Sequence, residues 1–246
     1  MARTRIKCSQ ALVLTSCGRL DLLRQTVDSF RRYNTARLAQ AILVEDSGDR
    51  SIGEALKAEY GDFFDHILCN EPSRGQIASI DRGYAYVTSP YIFHCEDDWR
   101  FFRSGFIEDS LAALQTDRHI VTVWLRELEN GRRSSRIRPE IRTGANGSCF
   151  HPIDIANQGH WHGFTFNPGL RRTADYARIA PFSAVGHEFE INVAYWQLDY
   201  YAVALARPAA RHLGFGRSKS KVERPPRRTR RSRMRALTRR IALRRR

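Results

Sequence analysis

The 246-residue chain lacks any run approaching the roughly 20 apolar residues that a membrane span needs. Near the amino terminus its apolar segment "ALVL" is also too short for a secretory signal, so the expectation is a soluble or peripheral protein. Cysteine is sparse: Cys8, Cys17, Cys69, Cys95 and Cys149 are odd in number, widely spaced and form no C-x-x-C pair. That favours reduced thiols in a cytoplasmic setting over a disulfide framework. Neither G-x-x-x-x-G-K-[ST] nor G-x-G-x-x-G occurs, which argues against a P-loop nucleotidase and a dinucleotide enzyme. No internal repeat is found. Acids are almost absent from 217–246, where 15 Lys or Arg face one acid, Glu223. Nearly all of the net +15 therefore sits in this tail, and the body, 1–216, is close to neutral. The tail also lacks aromatic residues for base stacking, which disfavours nucleic acid as its partner. A basic disordered segment, or a short helix carrying Met234, Leu237 and Ile241 at an anionic membrane surface, is the expectation.

What is present is the composition of a globule, 42% apolar and 11% aromatic. Short apolar runs alternate with segments of helical period, as in strand–helix units feeding a mostly parallel sheet flanked by helices, an α/β fold. "ALVLTS" reads as a strand, and "RLDLLRQTVDSFRRY" as a helix with Leu20, Leu23, Val27 and Phe30 on one face. "AILVEDSGD", "HILCN" and "YIFHC" read as further strands, and "GQIASIDRGYAYV" as a helix with Ile77, Ile80 and Tyr84 inward. "GFIEDSLAALQ" and "IVTVWL" continue the alternation. From about Glu129 to Gly163 it lapses into polar loops or a hairpin, the kind of segment that often forms a lid or binding loop. Regular structure returns with "EFEINVAYWQLDYYAVAL", whose Tyr195, Trp196, Tyr200 and Tyr201 read as core packing.

"YIFHCEDDWRFF" sets a buried-looking strand against three successive acids, Glu96, Asp97 and Asp98. Adjacent carboxylates repel as water is excluded, so such a cluster calls for a cation, a proton or an open rim. In open parallel sheets ligands bind at the carboxyl ends of the strands. Four polar signals fall at such ends: Thr15 and Ser16, Glu45 and Asp46, Gly75 with Gln76, and Glu96 to Asp98. Hard cations take carboxylate oxygens, and manganese or magnesium commonly shares one or two with substrate phosphates. A metal–diphosphate site therefore suits the cluster.

In their order, these features resemble the nucleotide-sugar-dependent glycosyltransferases of the GT-A fold, family 2-like enzymes in particular. "VEDSGD" is similar to their V-D-D-G-S strand end, "RGQIASIDRGYAYVTSPYIFHCEDDW" to their G-x-x-x-A-R-N-x-G … L-D-x-D-D block, and "GHEFEI" to G-E-D-x-D-L. The likeness covers roughly residues 9 to 215. It implies Thr15, Arg19, Glu45, Asp46, Gln76, Asp81 and Asp97 around the nucleotide-sugar. Asp98 with Glu96, and the late His212, would bind manganese or magnesium. Glu188, with Glu190 as alternative, falls where the family has its catalytic carboxylate. The sequence departs from the pattern in Cys95, which replaces the first Asp of the usual D-x-D, in Asp81 for Asn, and in His187-Glu188 for Glu-Asp.

The resulting expectation is one domain, 1–216, with a nucleotide-sugar half over about 9–128 and an acceptor half over about 129–216. It would be a metal-dependent glycosyltransferase moving a sugar from a UDP- or GDP-type donor to a hydroxyl, with inversion, on a glycan or lipid-linked acceptor. Its expected place is the cytoplasm, held peripherally on the inner face of the membrane by the tail. Trp161 and His162 are candidates to line the acceptor pocket, with a structural turn as the alternative. Arg171-Arg172 reads as a solvated pair. A sugar-nucleotide nucleotidyltransferase, or a nucleic-acid binder working through the tail, are the competing functions.

Overall fold

The computed structural model describes residues 9–127, 137–153 and 163–214. Strands β1 (Gln10–Ser16), β2 (Leu38–Glu45), β3 (His66–Cys69), β4 (Tyr91–Glu96) and β9 (Gly169–Arg172) form one sheet in the order β3-β2-β1-β4-β9. The first four run parallel, and β9 closes the sheet antiparallel to β4. Helices α1 (Leu20–Tyr33), α2 (Arg50–Tyr60) and α3 (Gln76–Tyr84) are the crossovers. A second, mixed sheet has the order β6-β10-β8-β7, from Ile120–Trp124, Tyr201–Leu205, Cys149–Pro152 and Arg142–Thr143. β7 and β8 are the hairpin expected from the polar stretch. A two-stranded ribbon pairs β5 (Trp99–Phe101) with β11 (Ala210–His212). Helix α4 (Phe106–Thr116) precedes β6, and α5 (Thr173–Ala177), α6 (Phe182–Val185) and α7 (Glu188–Trp196) lie between β9 and β10. Among the described residues no helix is long and apolar enough to cross a membrane.

β1 is buried along its whole length because helices cover both faces of the parallel sheet. Its alternation sorts the core in two. Leu12 and Leu14 join Leu23, Val27 and Phe30 of α1 on one side, while Val13 joins Ile80 and Tyr84 of α3 on the other. Phe30 packs against Phe93, Phe101 and Phe106 at 5.4 to 5.9 Å between ring centroids. Gly83 lets α3 sit close to the sheet, since a Cβ there would come within 2.7 Å of Val13 Cγ1 and 3.0 Å of Val44 Cγ2. Gly83→Ala should therefore lower stability by about 1–3 kcal/mol, read from denaturant melts.

Two expectations fail here. Trp196 is 42% exposed, on the outer face of α7, whereas Tyr195 and Tyr200 are core and Tyr201 is half-buried. Arg171 and Arg172 are not a solvated pair. Arg171 is 1% exposed, and Arg172 staples the end of α4 to β6 by donating to the carbonyls of Leu114, Asp117 and Ile120 and to Asp175. Arginine's five donors suit it to such convergent carbonyls, which its sequence neighbours do not advertise.

A candidate active site at the strand ends

Parallel register brings Ser16, Glu45, Cys69 and Glu96 to one edge: Ser16 pairs with Glu45, Glu45 with Cys69, and Thr15 with Glu96. Thr15 is itself buried in β1. The edge is lined by acids, but they are divided by strand alternation and by the turn that follows β4.

Cys95 shares the face of Phe93 in the apolar core, and burial pushes its thiol well up. It has no place on the rim. Glu96 goes to the opposite face, where Gln76 Nε2 donates to Oε1 at 2.5 Å. Asp97 turns back towards α1 and is 1% exposed. Arg19, the residue that opens α1, donates to both of its oxygens, with Nε to Oδ2 at 3.1 Å. Ser16 Oγ and the Cys17 N–H also donate to Oδ2, at 3.2 and 3.4 Å. Arg19 Nη1 then reaches Asp98 Oδ2 at 2.8 Å. On its other flank Asp98 Oδ2 lies 3.3 Å from His212 Nε2, carried in by β11, while Oδ1 is buried with no partner among the described residues. A Cβ on Gly214 would run into this carboxylate, so only glycine lets the chain pass there.

The charges follow from this arrangement. Burial pushes Asp97 up, and Arg19 offsets it only in part. For Asp98, burial is outweighed by His212 and Arg19, which hold it below its ordinary value. Glu96 has no ion pair among the described residues; burial, then Asp98, Glu188 and Asp97, push it up to about 8. An acid whose pKa is raised on folding keeps its proton in the folded state when the unfolded chain has lost it. The metal-free protein should therefore lose stability as pH rises from 4.5 towards about 8, and melting temperatures across that interval test it.

Glu188, the first residue of α7, is among the charges that push Glu96 up, so its carboxylate lies within electrostatic reach of the acidic rim. The hydroxyl of Thr165 and the N–H of Phe166 donate to its Oε2, at 3.1 and 2.9 Å. Burial raises its pKa, against the pull of those two donors. Glu190 is engaged differently. Its Oε2 accepts from the His187 N–H at 3.1 Å, closing a capping box on α7.

The remaining predicted residues have structural partners. Glu45 Oε1 accepts from the Gly18 and Ser47 N–H groups, and Oε2 is buried without a partner among the described residues. Both oxygens of Asp46 are filled by the 70–75 segment: Asn70 and the Arg74 N–H on Oδ1, Ser73 and the Gly75 N–H on Oδ2. Asp81 points away from the rim, accepting from Tyr176 Oη and from the Phe182 and Ser183 N–H groups, so it caps α6 from outside that helix. Trp161, His162 and the tail lie outside the described residues. Missed by sequence reasoning were the ion pairs of Arg19 to the acids and the Thr165–Phe166 grip on Glu188. Both join segments more than 20 residues apart, and no local pattern signals them.

Could these side chains hold a divalent ion? Asp97 is already engaged by Arg19 through both oxygens. Asp98 retains an unpartnered oxygen, and Glu96 and His212 flank it with oxygen and nitrogen donors of the right chemistry. As they stand, no three ligand-type side chains are gathered among the described residues.

Comparison with known proteins gives a consistent picture. The sequence profile described as "Glycosyl transferase family 2" matches residues 11–178. No curated protein matches. Among solved structures, GalNAc-T7 with UDP, GalNAc and Mn2+ superposes with a TM-score of 0.59 at 16% identity, over 83% of this chain and 44% of that one. The mannosyltransferase PcManGT from Pyrobaculum calidifontis, in complex with GDP-Man and Mn2+, gives 0.62 at 12% identity, over 85% and 58%. S. aureus TarS 1-349 gives 0.59 at 10% identity, over 84% and 60%. The chain thus spans about half the length of these neighbours, and at such identities the likeness is one of fold, that of GT-A glycosyltransferases.

Proposed function

The chain belongs to glycosyl transferase family 2, and from that membership we propose that it transfers a sugar from a nucleoside-diphosphate sugar to a hydroxyl acceptor, with inversion. One observation carries the reading: a half-buried carboxylate, Glu188, lies within electrostatic reach of the acidic strand-end rim. Its Oε2 is held by two donors, and Oε1 has no hydrogen-bond partner among the described residues, so it is the atom left to take a proton from an acceptor hydroxyl. Burial raises the basicity of that atom, as a general base working near neutral pH requires.

Asp98, Glu96 and His212 are the residues that would hold a divalent ion, manganese or magnesium. Such an ion would supply positive charge to the departing nucleoside diphosphate. Arg19 keeps the rim from carrying its full negative charge before the donor arrives, and Gln76 orients Glu96. The neighbours bound to UDP and to GDP-Man support a donor of one of these two types.

Calorimetric titration with UDP, GDP and their sugar conjugates, with and without Mn2+, tests the reading alongside Asp98→Ala. Metal-dependent binding of one nucleotide, lost in the variant, is expected. Binding of none of them would refute it. The charge of residues 217–246 supports an anionic membrane surface as the place of work, and a glycan or lipid-linked acceptor with it. Deleting the tail should abolish sedimentation with phosphatidylserine liposomes at low salt; unchanged sedimentation would remove the membrane from the proposal.

A further inference from the structure

Arg171 sits on β9 opposite Ile92, in the middle of the protein. Its guanidinium lies against an edge-to-face pair of rings, Phe164 and Phe166, 5.1 and 5.8 Å from their centroids. Nη2 donates to the Thr165 carbonyl at 3.2 Å, while Nε and Nη1 are buried with no acceptor among the described residues. Excluding water from a cation without giving it a hydrogen-bonded carboxylate is costly. Aromatic faces return only part of that. An apolar residue would fill the place at less cost, so the charge needs a reason.

The reason lies one residue along. The carbonyl that Arg171 holds belongs to Thr165, whose hydroxyl donates to Glu188 Oε2, and the next N–H, that of Phe166, donates to the same oxygen. The field of Arg171 acts on Glu188, Tyr84, His94 and Tyr195, and only Glu188 among them is a carboxylate. His94, on the same face of β4 as Glu96, is fully buried and held neutral by that burial and by Arg171.

We propose that Arg171 is a positioning residue for Glu188, fixing the Thr165–Phe166 backbone that grips Oε2. This rests on the reading of Glu188 as the base. The side chain does not touch substrate; it acts through two backbone groups and a hydroxyl.

The test uses the full chain with Arg171→Met, Arg171→Lys and Thr165→Val, and two readouts. One is kcat for sugar transfer or donor hydrolysis, beside the donor dissociation constant from calorimetry. The other is amide hydrogen exchange across 164–167. Arg171→Met should lower kcat about 10- to 100-fold, since misplacing a catalytic group by about 1 Å has that scale of effect. Donor affinity should stay within about twofold, and exchange at Phe166 should speed up as its hydrogen bond loosens. Arg171→Lys, keeping the charge without the fork, should fall between, and Thr165→Val should lower kcat alone.

Unchanged exchange or unchanged kcat in a folded Arg171→Met protein would overturn the proposal. If that variant does not fold, wild-type exchange and turnover in both Arg171→Lys and Thr165→Val would overturn it equally. If the wild type transfers and hydrolyses no donor at all, the function reading has failed, and exchange still decides whether Arg171 holds the loop.

Discussion

Replacing Glu188 by Gln should lower the rate of sugar transfer by roughly 10²–10⁴-fold, the usual contribution of a positioned acid–base group. Donor affinity should hardly move. The amide can still accept from Thr165 and Phe166, so the fold around it should be retained. Glu190→Gln is the comparison that matters, because its carboxylate closes the first turn of α7. That change should cost about 0.5–1 kcal/mol of stability through the weakened cap and leave most of the rate. The pH profile carries the same assignment. Glu188 works deprotonated and burial raises its pKa, so activity should fall with decreasing pH above the ordinary carboxylate range. A profile unchanged by Glu188→Gln, or a Glu190→Gln enzyme with the larger loss, would transfer the role.

Asp97→Ala should be the most destabilising single change at the rim. It takes from Arg19, whose side chain is 14% exposed, the carboxylate that fills two of its nitrogens, leaves only Asp98 to pair with it, and opens a buried volume; breaking a buried pair from one side costs up to about 3–5 kcal/mol. For a chain of this size that is on the order of 10 °C in melting temperature. The double variant Arg19→Ala/Asp97→Ala should lose less than the sum of the two single changes, because the Arg19–Asp97 pair is counted in both. If the two single changes simply add, Arg19 is not the counter-ion of Asp97. Asp98 behaves differently at low pH. Its pKa is depressed on folding, so its contribution is present above the ordinary value and disappears as pH falls through the folded one.

The strands with buried alternation and the helices with a clear apolar face were legible in the sequence: β1, β2, β4, α1 and α3 all lie where period and turn residues put them. Strands β5, β9 and β11 were not, for "WRF", "GLRR" and "ARH" are too short to show a period and are strands only because a partner is there. At the candidate site, the convergence of Ser16, Glu45 and Glu96 could be read from topology alone. How the acids are neutralised could not, since Arg19 meets Asp97 and Asp98 from 78 and 79 residues away. Cys95 was open to a better reading: period two groups it with Phe93 in the core. Asp81 misled because residue type cannot tell which way a helical carboxylate points.

Helix α1 holds the acidic turn at two heights. Arg19 grips the carboxylates, and about two turns further on Thr26 Oγ1 donates to the Asp97 carbonyl at 2.8 Å while accepting the Trp99 N–H at 3.0 Å. Ser29 accepts the Phe101 N–H, and Phe30 packs tilted against Phe93 and edge-to-face against Phe101 beneath. Residues 16–30 and 93–101, far apart in the chain, are therefore one cassette. A chimera that borrows either segment alone from a relative inherits half of a lock, and only exchange of both together transplants a working acidic turn.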